Sequence, residues 1–282
     1  MRHVIALVLL VSATAYADDA PPAPAFVTLD RGDATSRVGV EASYELTSSS
    51  GLTDGSETVV RLEAHGQYVD PGLRVGGYAQ VPISYVSAGG SGESSATGFG
   101  DAEIGALYVP RVNENFEIVL RAGIALPTGS TSGNGGIANL FGSMSRLTDF
   151  YLAIPHGTSI RLAVSPLWHS GMLFARVDAG IDINLDDDND GGPAADKVVR
   201  VNGALGVDLG QFSVSLESAN IYDIPSNGET TSTGSQWINE GAVAARFRSG
   251  MFQPYAAVVF PLDHDSHEFI DASLTVGLDA RL

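Results

Sequence analysis

The sequence contains no cysteine, which excludes disulfides, thiolate metal sites and cysteine nucleophiles. Lysine is nearly absent as well: Lys197 is the only one, so fourteen of the fifteen basic residues are arginine. A basic surface is also missing. With 15 Lys and Arg against 33 Asp and Glu the net charge is −18, which excludes electrostatic attachment to nucleic acid. Charged residues make up only 17% of the chain, whereas glycine is plentiful at 33 of 282 residues. Abundant Gly with scattered Val, Tyr and Phe points to an all-β chain of strands and turns.

The first residues are a separate unit. Arg2 precedes an apolar run from Val4 to Val11, and Ala15-Tyr16-Ala17 has the small-x-small pattern of a processing site. This predicts a secretory signal peptide over 1–17, because the run falls short of the ~18 apolar residues of an anchor. Residues 18–36 follow, starting Asp18-Asp19-Ala20-Pro21-Pro22-Ala23-Pro24, a proline-dense and extended stretch. Two places are open to this segment: the periplasm, or the inside of whatever 37–282 builds, as a plug. No later apolar run is long enough for a membrane helix, so a membrane-spanning chain must be a closed barrel.

From Arg37 onward apolar and polar residues alternate with period two, the mark of strands with two unlike faces. Twelve segments are predicted: 37–47, 57–69, 72–86, 100–110, 115–127, 158–169, 172–185, 197–209, 211–222, 236–248, 251–262 and 271–282. One face is apolar throughout, as in Leu173, Ala175, Val177, Ala179, Ile181, Ile183 and Leu185, with no charged residue expected on it. The other face carries the charge. Arg61, Glu63, His65, Arg74, Asp101, Glu103, Glu117, Arg121, Arg161, Arg176, Asp178, Arg200, Asp208, Glu217 and Arg246 are expected to line a lumen. Arg37, Glu41, Glu45, Asp182, Arg248, Asp279 and Arg281 share that face, giving a nearly neutral interior of arginines and carboxylates. An apolar exterior around a polar interior is what a membrane barrel requires.

Connection lengths alternate. Links 48–56, 87–99, 128–157, 186–196, 223–235 and 263–270 are long, and the links between them are short. Long extracellular loops and tight periplasmic turns produce this rhythm in outer-membrane barrels. Aromatic residues fall at the segment ends: Tyr68, Tyr108, Phe116, Trp168, Phe212, Phe247 and Phe252 at one, Tyr44, Tyr85, Tyr222, Trp237 and Phe260 at the other. Two such girdles are expected where rings sit at headgroup level. The expectation is a transmembrane antiparallel β-barrel of twelve strands, integral to the outer membrane, with both chain ends in the periplasm.

Catalytic patterns are sparse. No Gly-x-Ser-x-Gly elbow occurs, and Gly133-Asn134-Gly135-Gly136 lacks the Lys-Ser/Thr ending of a phosphate loop, so its glycines are expected to serve tight turns. The loop Asp186-Asp187-Asp188-Asn189-Asp190-Gly191 spaces Asp186, Asp188 and Asp190 as oxygen ligands for Ca²⁺. The twelfth position is Lys197 rather than the bidentate Glu of an EF-hand, so a solvated acidic loop, bridged to lipopolysaccharide through divalent ions, is the competing expectation. No other cofactor is expected, and an enzyme is not.

Gly98-Phe99-Gly100-Asp101 at a strand start is followed by Leu126-Pro127-Thr128-Gly129 at the end of the next upward strand. The pair resembles the Gly-x-Gly-Asp and Leu-Pro-Thr-Gly signatures of the outer-membrane proteins associated with phenol-degradation (meta-pathway) operons. The resemblance covers residues 98–129 and implies a barrel that admits small, often aromatic, compounds. In physical terms Gly100 permits a backbone bend, and Pro127, without an amide donor, ends strand pairing. The sequence therefore leads to an outer-membrane channel for passive uptake or efflux of small solutes, with lipid, lipopolysaccharide and the barrel assembly machinery as partners. A non-conducting structural or adhesion protein presenting acidic loops is the alternative.

Overall fold

The structure, a computed structural model, describes residues 26–47, 57–88, 94–130, 134–153, 157–185, 197–224, 237–248, 250–267 and 270–282. The chain runs through β1 (Arg37–Thr47), β2 (Glu57–Val69), β3 (Val75–Ala88), β4 (Ser94–Phe99), β5 (Ala102–Tyr108), the short β6 (Arg111–Asn113) and β7 (Phe116–Leu126). An interval with helix α1 (Asn134–Ser143) and a 3-10 segment (Leu147–Ala153) leads to β8 (Ser159–Ser170), β9 (Leu173–Asn184) and β10 (Lys197–Asp208). Then come β11 (Phe212–Ile224), β12 (Trp237–Phe247), β13 (Phe252–Pro261), the one-turn α2 (His264–His267) and β14 (Ile270–Arg281).

Every neighbouring pair is antiparallel, and the ring is closed by β1 against β14, from Arg37↔Arg281 to Tyr44↔Leu274. β4 and β5 are two halves of one stave. Both pair with β3, and the chain steps between them at Gly100 and Asp101. β6 only lengthens the hairpin into β7. The barrel therefore has twelve staves, and closure leaves no edge whose backbone groups would face lipid unpaired.

Alternation decides what faces where. In β1, Arg37, Glu41, Ser43 and Glu45 are buried, while Val38, Val40, Tyr44 and Leu46 are exposed. The same holds round the ring: Leu205 is 66% and Leu216 61% exposed, whereas Arg161, Arg176 and Arg200 are almost wholly enclosed. A continuous exposed belt of Val, Leu and Ile is intolerable in water and fits a hydrocarbon surrounding. Tyr68, Tyr108, Trp168, Phe212 and Phe252 stand out on one rim, with Tyr44, Tyr85 and Trp237 on the other. The chain forms an integral outer-membrane barrel.

Tight turns occupy the periplasmic end. At Gly210 and Gly250 the backbone has φ of 82° and 81°, the left-handed region that glycine enters without a Cβ clash. The turn after β2 differs from the sequence expectation. It spans Asp70–Arg74, with Asp70 N–H donating to Val75 O and Arg74 N–H to Asp70 O. β3 thus begins at Val75 and Arg74 (φ 59°) is a turn residue.

Three further expectations are corrected. The hairpin across 87–99 extends beyond the expected strands, since β3 reaches Ala88 and β4 starts at Ser94. Lys197 is exposed on the outer face at the extracellular start of β10, so the apolar face is not free of charge at the rim, where water and headgroups solvate it. The link 128–157 does not project outward. Its described part, including α1 and the 3-10 segment, folds into the barrel, and Gly135 and Gly136 lie in the first turn of α1 rather than in tight turns.

At the middle of β10, Val201 is 44% exposed. Val201→Arg is expected to destabilise the folded barrel by ~2–4 kcal/mol, and Lys197→Arg by close to nothing. Denaturant unfolding in lipid vesicles checks both, with heat-dependent mobility on detergent gels as the marker of the folded state.

Candidate functional site

The site is the lumen, and two inserts occupy it. The first is Phe26–Ser36, which has no strand of its own. Phe26, Val27, Thr28, Leu29, Asp30 and Asp33 are all buried. A strandless segment away from water must find partners for its backbone, and the wall supplies them as side chains. Glu217 accepts from Val27 N–H (2.9 Å) and Thr28 N–H (2.8 Å), and Asp178 accepts from Asp30 N–H (2.9 Å). Arg176 donates to Gly32 O at 2.7 Å, and Gln67 to Thr35 O at 2.6 Å. Apolar anchors complete the seat: Phe26 and Leu29 pack with Leu167, Phe174 and Ala204, and Val27 with Ala244, Tyr255 and Ala257.

The second insert is the infolded loop. Its 3-10 segment buries Leu147 and Tyr151 against Val198, Ala219 and Ile221, and its base is clasped by the two short motifs. Phe99 N–H donates to Ser130 Oγ and Ser130 N–H to Phe99 O. Gly129 N–H donates to Asp101 Oδ1, and Ala102 N–H to Thr128 Oγ1. Asp101 N–H reaches Leu152 O at 2.7 Å. A Cβ on Gly100 would lie 2.6 Å from Pro82 Cγ and 2.8 Å from Leu152 O, so no larger residue fits there. The inserts touch one another as well, since Arg146 donates to Leu29 O at 2.6 Å and Thr148 to Thr28 O.

Charge organises the rest. Arg121 pairs with Glu103, Glu103 with Arg161, Arg161 with Asp182 and Asp182 with Arg200. Asp30 bridges Arg200 and Arg121 and so closes a six-membered ring of alternating sign. The next residue closes a second ring: Arg31 pairs with Glu41 at 2.8 Å and Glu63 at 3.0 Å, both of which also face Arg61. Asp149 of the infolded loop links the rings through Arg61 (3.1 Å) and Arg161 (3.5 Å), with Arg146 at 2.7 Å. Burial alone would raise the Asp30 carboxyl, but Arg121 and Arg200 outweigh it and hold the group well below the usual carboxylate range. Asp149 is held down against burial by Arg146, Arg61 and Arg161. A depressed carboxyl contributes stability above its unfolded value of about 4 and loses it only as pH falls through the folded one. Mild acidity therefore leaves both anchors charged.

The residues expected to line the lumen fall into three groups. Arg61, Glu63, Glu103, Arg121, Arg161, Arg176, Asp178, Arg200, Glu217 and Arg246 are buried in the interior, and His65 sits beside Asp279 at 2.9 Å. Asp101 lies at the loop clasp. Arg74 and Glu117 pair at the periplasmic rim, as do Asp208 and Arg248. Asp186, Asp188 and Asp190 lie outside the described residues. Sequence reasoning missed Asp30, Arg31, Asp33, Arg146 and Asp149, which lie outside any alternating segment. It also missed Glu240, whose even spacing from Arg246 places it on the inner face. Glu240 and Glu45 stand apart from the lattice: both are buried, and among the described residues no arginine forms an ion pair with either. Among the described residues, two cavities beside the inserts measure about 20 and 10 Å³, each with room for one water at most.

Glu103→Gln leaves Arg121 and Arg161 short of a buried counter-charge and is expected to cost ~3–5 kcal/mol. Glu45→Gln removes a buried acid that forms no ion pair, so stability is expected to be unchanged or raised. Parallel urea titrations of the two variants test this contrast.

No family model matches the sequence, and no curated protein matches it. Solved structures do. The outer membrane channel of the COG4313 group from Pseudomonas putida F1 is 15% identical, with a TM-score of 0.59 over 90% of this chain and 100% of that one. The NanC porin is 11% identical, with a TM-score of 0.51 over 86% of this chain and 100% of that one. The KdgM porin is 12% identical, with a TM-score of 0.50 over 86% and 99%. At these identities the likeness is one of fold.

Proposed function

We propose that the chain is a passive outer-membrane channel for small solutes, shut in the form described and opened by withdrawal of the Phe26–Ser36 segment. The observation that carries this reading is the way that segment is held. It is a length of chain without strand pairing, fixed to the wall by side chains and ion pairs that can exchange for water or solute. A segment meant as permanent filling could be built from apolar contacts alone. Barrels of similar fold bear the names porin and channel, which favours transport over catalysis. The resemblance of residues 98–129 to the phenol-degradation outer-membrane proteins extends the solute range to small aromatic compounds. Residues 1–17 are a signal peptide in this reading. Lipid, lipopolysaccharide and the assembly machinery are the partners, and Asp186, Asp188 and Asp190 hold Ca²⁺ in the acidic loop.

A second reading has one observation in its favour: two inserts fill the lumen, as suits a non-conducting structural protein. Planar-bilayer recording separates the two. The intact chain is expected to conduct in brief, small steps, and a chain lacking residues 18–32 to conduct several-fold more. A protein silent in both forms would be the structural one.

A further inference from the structure

We propose that the Arg121–Arg176–Arg200 cradle is a binding site for the carboxylate of a small organic acid, which Asp30 fills from within the chain. The proposal rests on the plug reading above but concerns ligand chemistry, which is tested separately.

Three observations converge on it. First, Asp30 is bound as a ligand would be. Arg200 Nη1 lies 3.0 Å from both its carboxylate oxygens, and Arg121 Nη1 donates to Oδ1. One guanidinium nitrogen thus spans both oxygens while a second arginine caps one of them, and charge-assisted hydrogen bonds of this kind are the strong ones. Second, the donors are not exhausted. Arg121 Nε, Arg176 Nη2 and Arg200 Nε are buried and have no acceptor, and such N–H groups are costly to leave unmade. Two of these belong to the arginines that hold Asp30 and the third to Arg176, which binds the same segment at Gly32 O, so the wall keeps donor capacity for an acceptor-rich group. Third, the charge count changes by one when Asp30 leaves. The wall part of its ring is Arg121, Glu103, Arg161, Asp182 and Arg200, three cations against two anions, so the vacated ring carries one net positive charge and calls for a single anion.

The surroundings suit a ring-bearing acid. Arg176 lies 5.2 Å from the Phe26 ring centroid, and Phe26 meets Phe174 edge to face at 5.9 Å. The segment thus puts an aromatic ring and a carboxylate against the same arginine-lined wall. A solute acid that takes the place of Asp30 removes the ionic anchor of the segment, so binding and opening are one exchange.

The test replaces the missing carboxyl from solution. Full-length Asp30→Ala leaves the ring one anion short, and its thermal unfolding in detergent is followed with formate, acetate or benzoate against chloride and benzyl alcohol at constant ionic strength. The carboxylates are expected to raise the unfolding temperature saturably, with about tenfold tighter half-saturation than chloride, and benzyl alcohol to have no effect. In the wild-type chain, where Asp30 competes, the same acids should need higher concentrations. An equal response to chloride, or none to any carboxylate, overturns the proposal. Should Asp30→Ala fail to fold, wild-type protein carries the test: benzoate is expected to increase proteolytic cleavage within residues 26–36, and benzyl alcohol is not. No difference between the two again overturns it. These readouts need no current, so a protein that never conducts would sink the channel reading while leaving this one standing or falling by itself.

Discussion

Apart from acids such as Glu45 and Glu240, the charges turned into this barrel meet their opposites there, and that pairing shapes the interior. Hydrocarbon outside forbids the charges an outward position, and the filled lumen denies them bulk water. What remains is mutual pairing, in which an unmatched member costs several kcal/mol. The wall alone does not close its own lattice: two adjacent residues of the N-terminal segment, Asp30 and Arg31, complete one ring each. Once they withdraw, the Arg121–Glu103–Arg161–Asp182–Arg200 side is left one positive charge in excess and the Glu41–Glu63 side one negative. A solute entering then meets a field across its path rather than a neutral tube.

The infolded loop depends on the same lattice and on a local clasp. Asp149 carries the loop into contact with both rings, while Phe99, Asp101, Thr128 and Ser130 fix its base by hydrogen bonds. The two short motifs recognisable in the sequence are therefore halves of one structural joint. Their residues bind each other, and Gly100 is small because Pro82 and the Leu152 carbonyl press on it.

The staves were legible because a sheet between oil and a polar interior imposes a strict two-residue period, and β1 and β2 match the expected bounds residue for residue. The girdles and the turns at Gly210 and Gly250 follow from equally local rules. The inserts were not legible, since neither has a period to read. Asp30 sits between Leu29 and Arg31, and its arginine partners lie 91 and 170 residues away. α1 has two glycines, poor helix formers, in its first turn and spans only ten residues with Ile137 and Leu140 exposed, so its short apolar pattern gives a weak signal. Glu240 is legible by parity, six residues before Arg246 on the same strand.

Guanidinium stays protonated at any pH at which the barrel survives, so choosing arginine for the interior makes its positive charges indifferent to alkaline surroundings. Leaving lysine only at the outer rim has a practical corollary. Apart from the chain's own amino terminus, Lys197 is the single primary amine in the molecule, and it is exposed at the extracellular mouth. One amine-reactive dye or crosslinker would mark that lip and leave the ionic interior untouched.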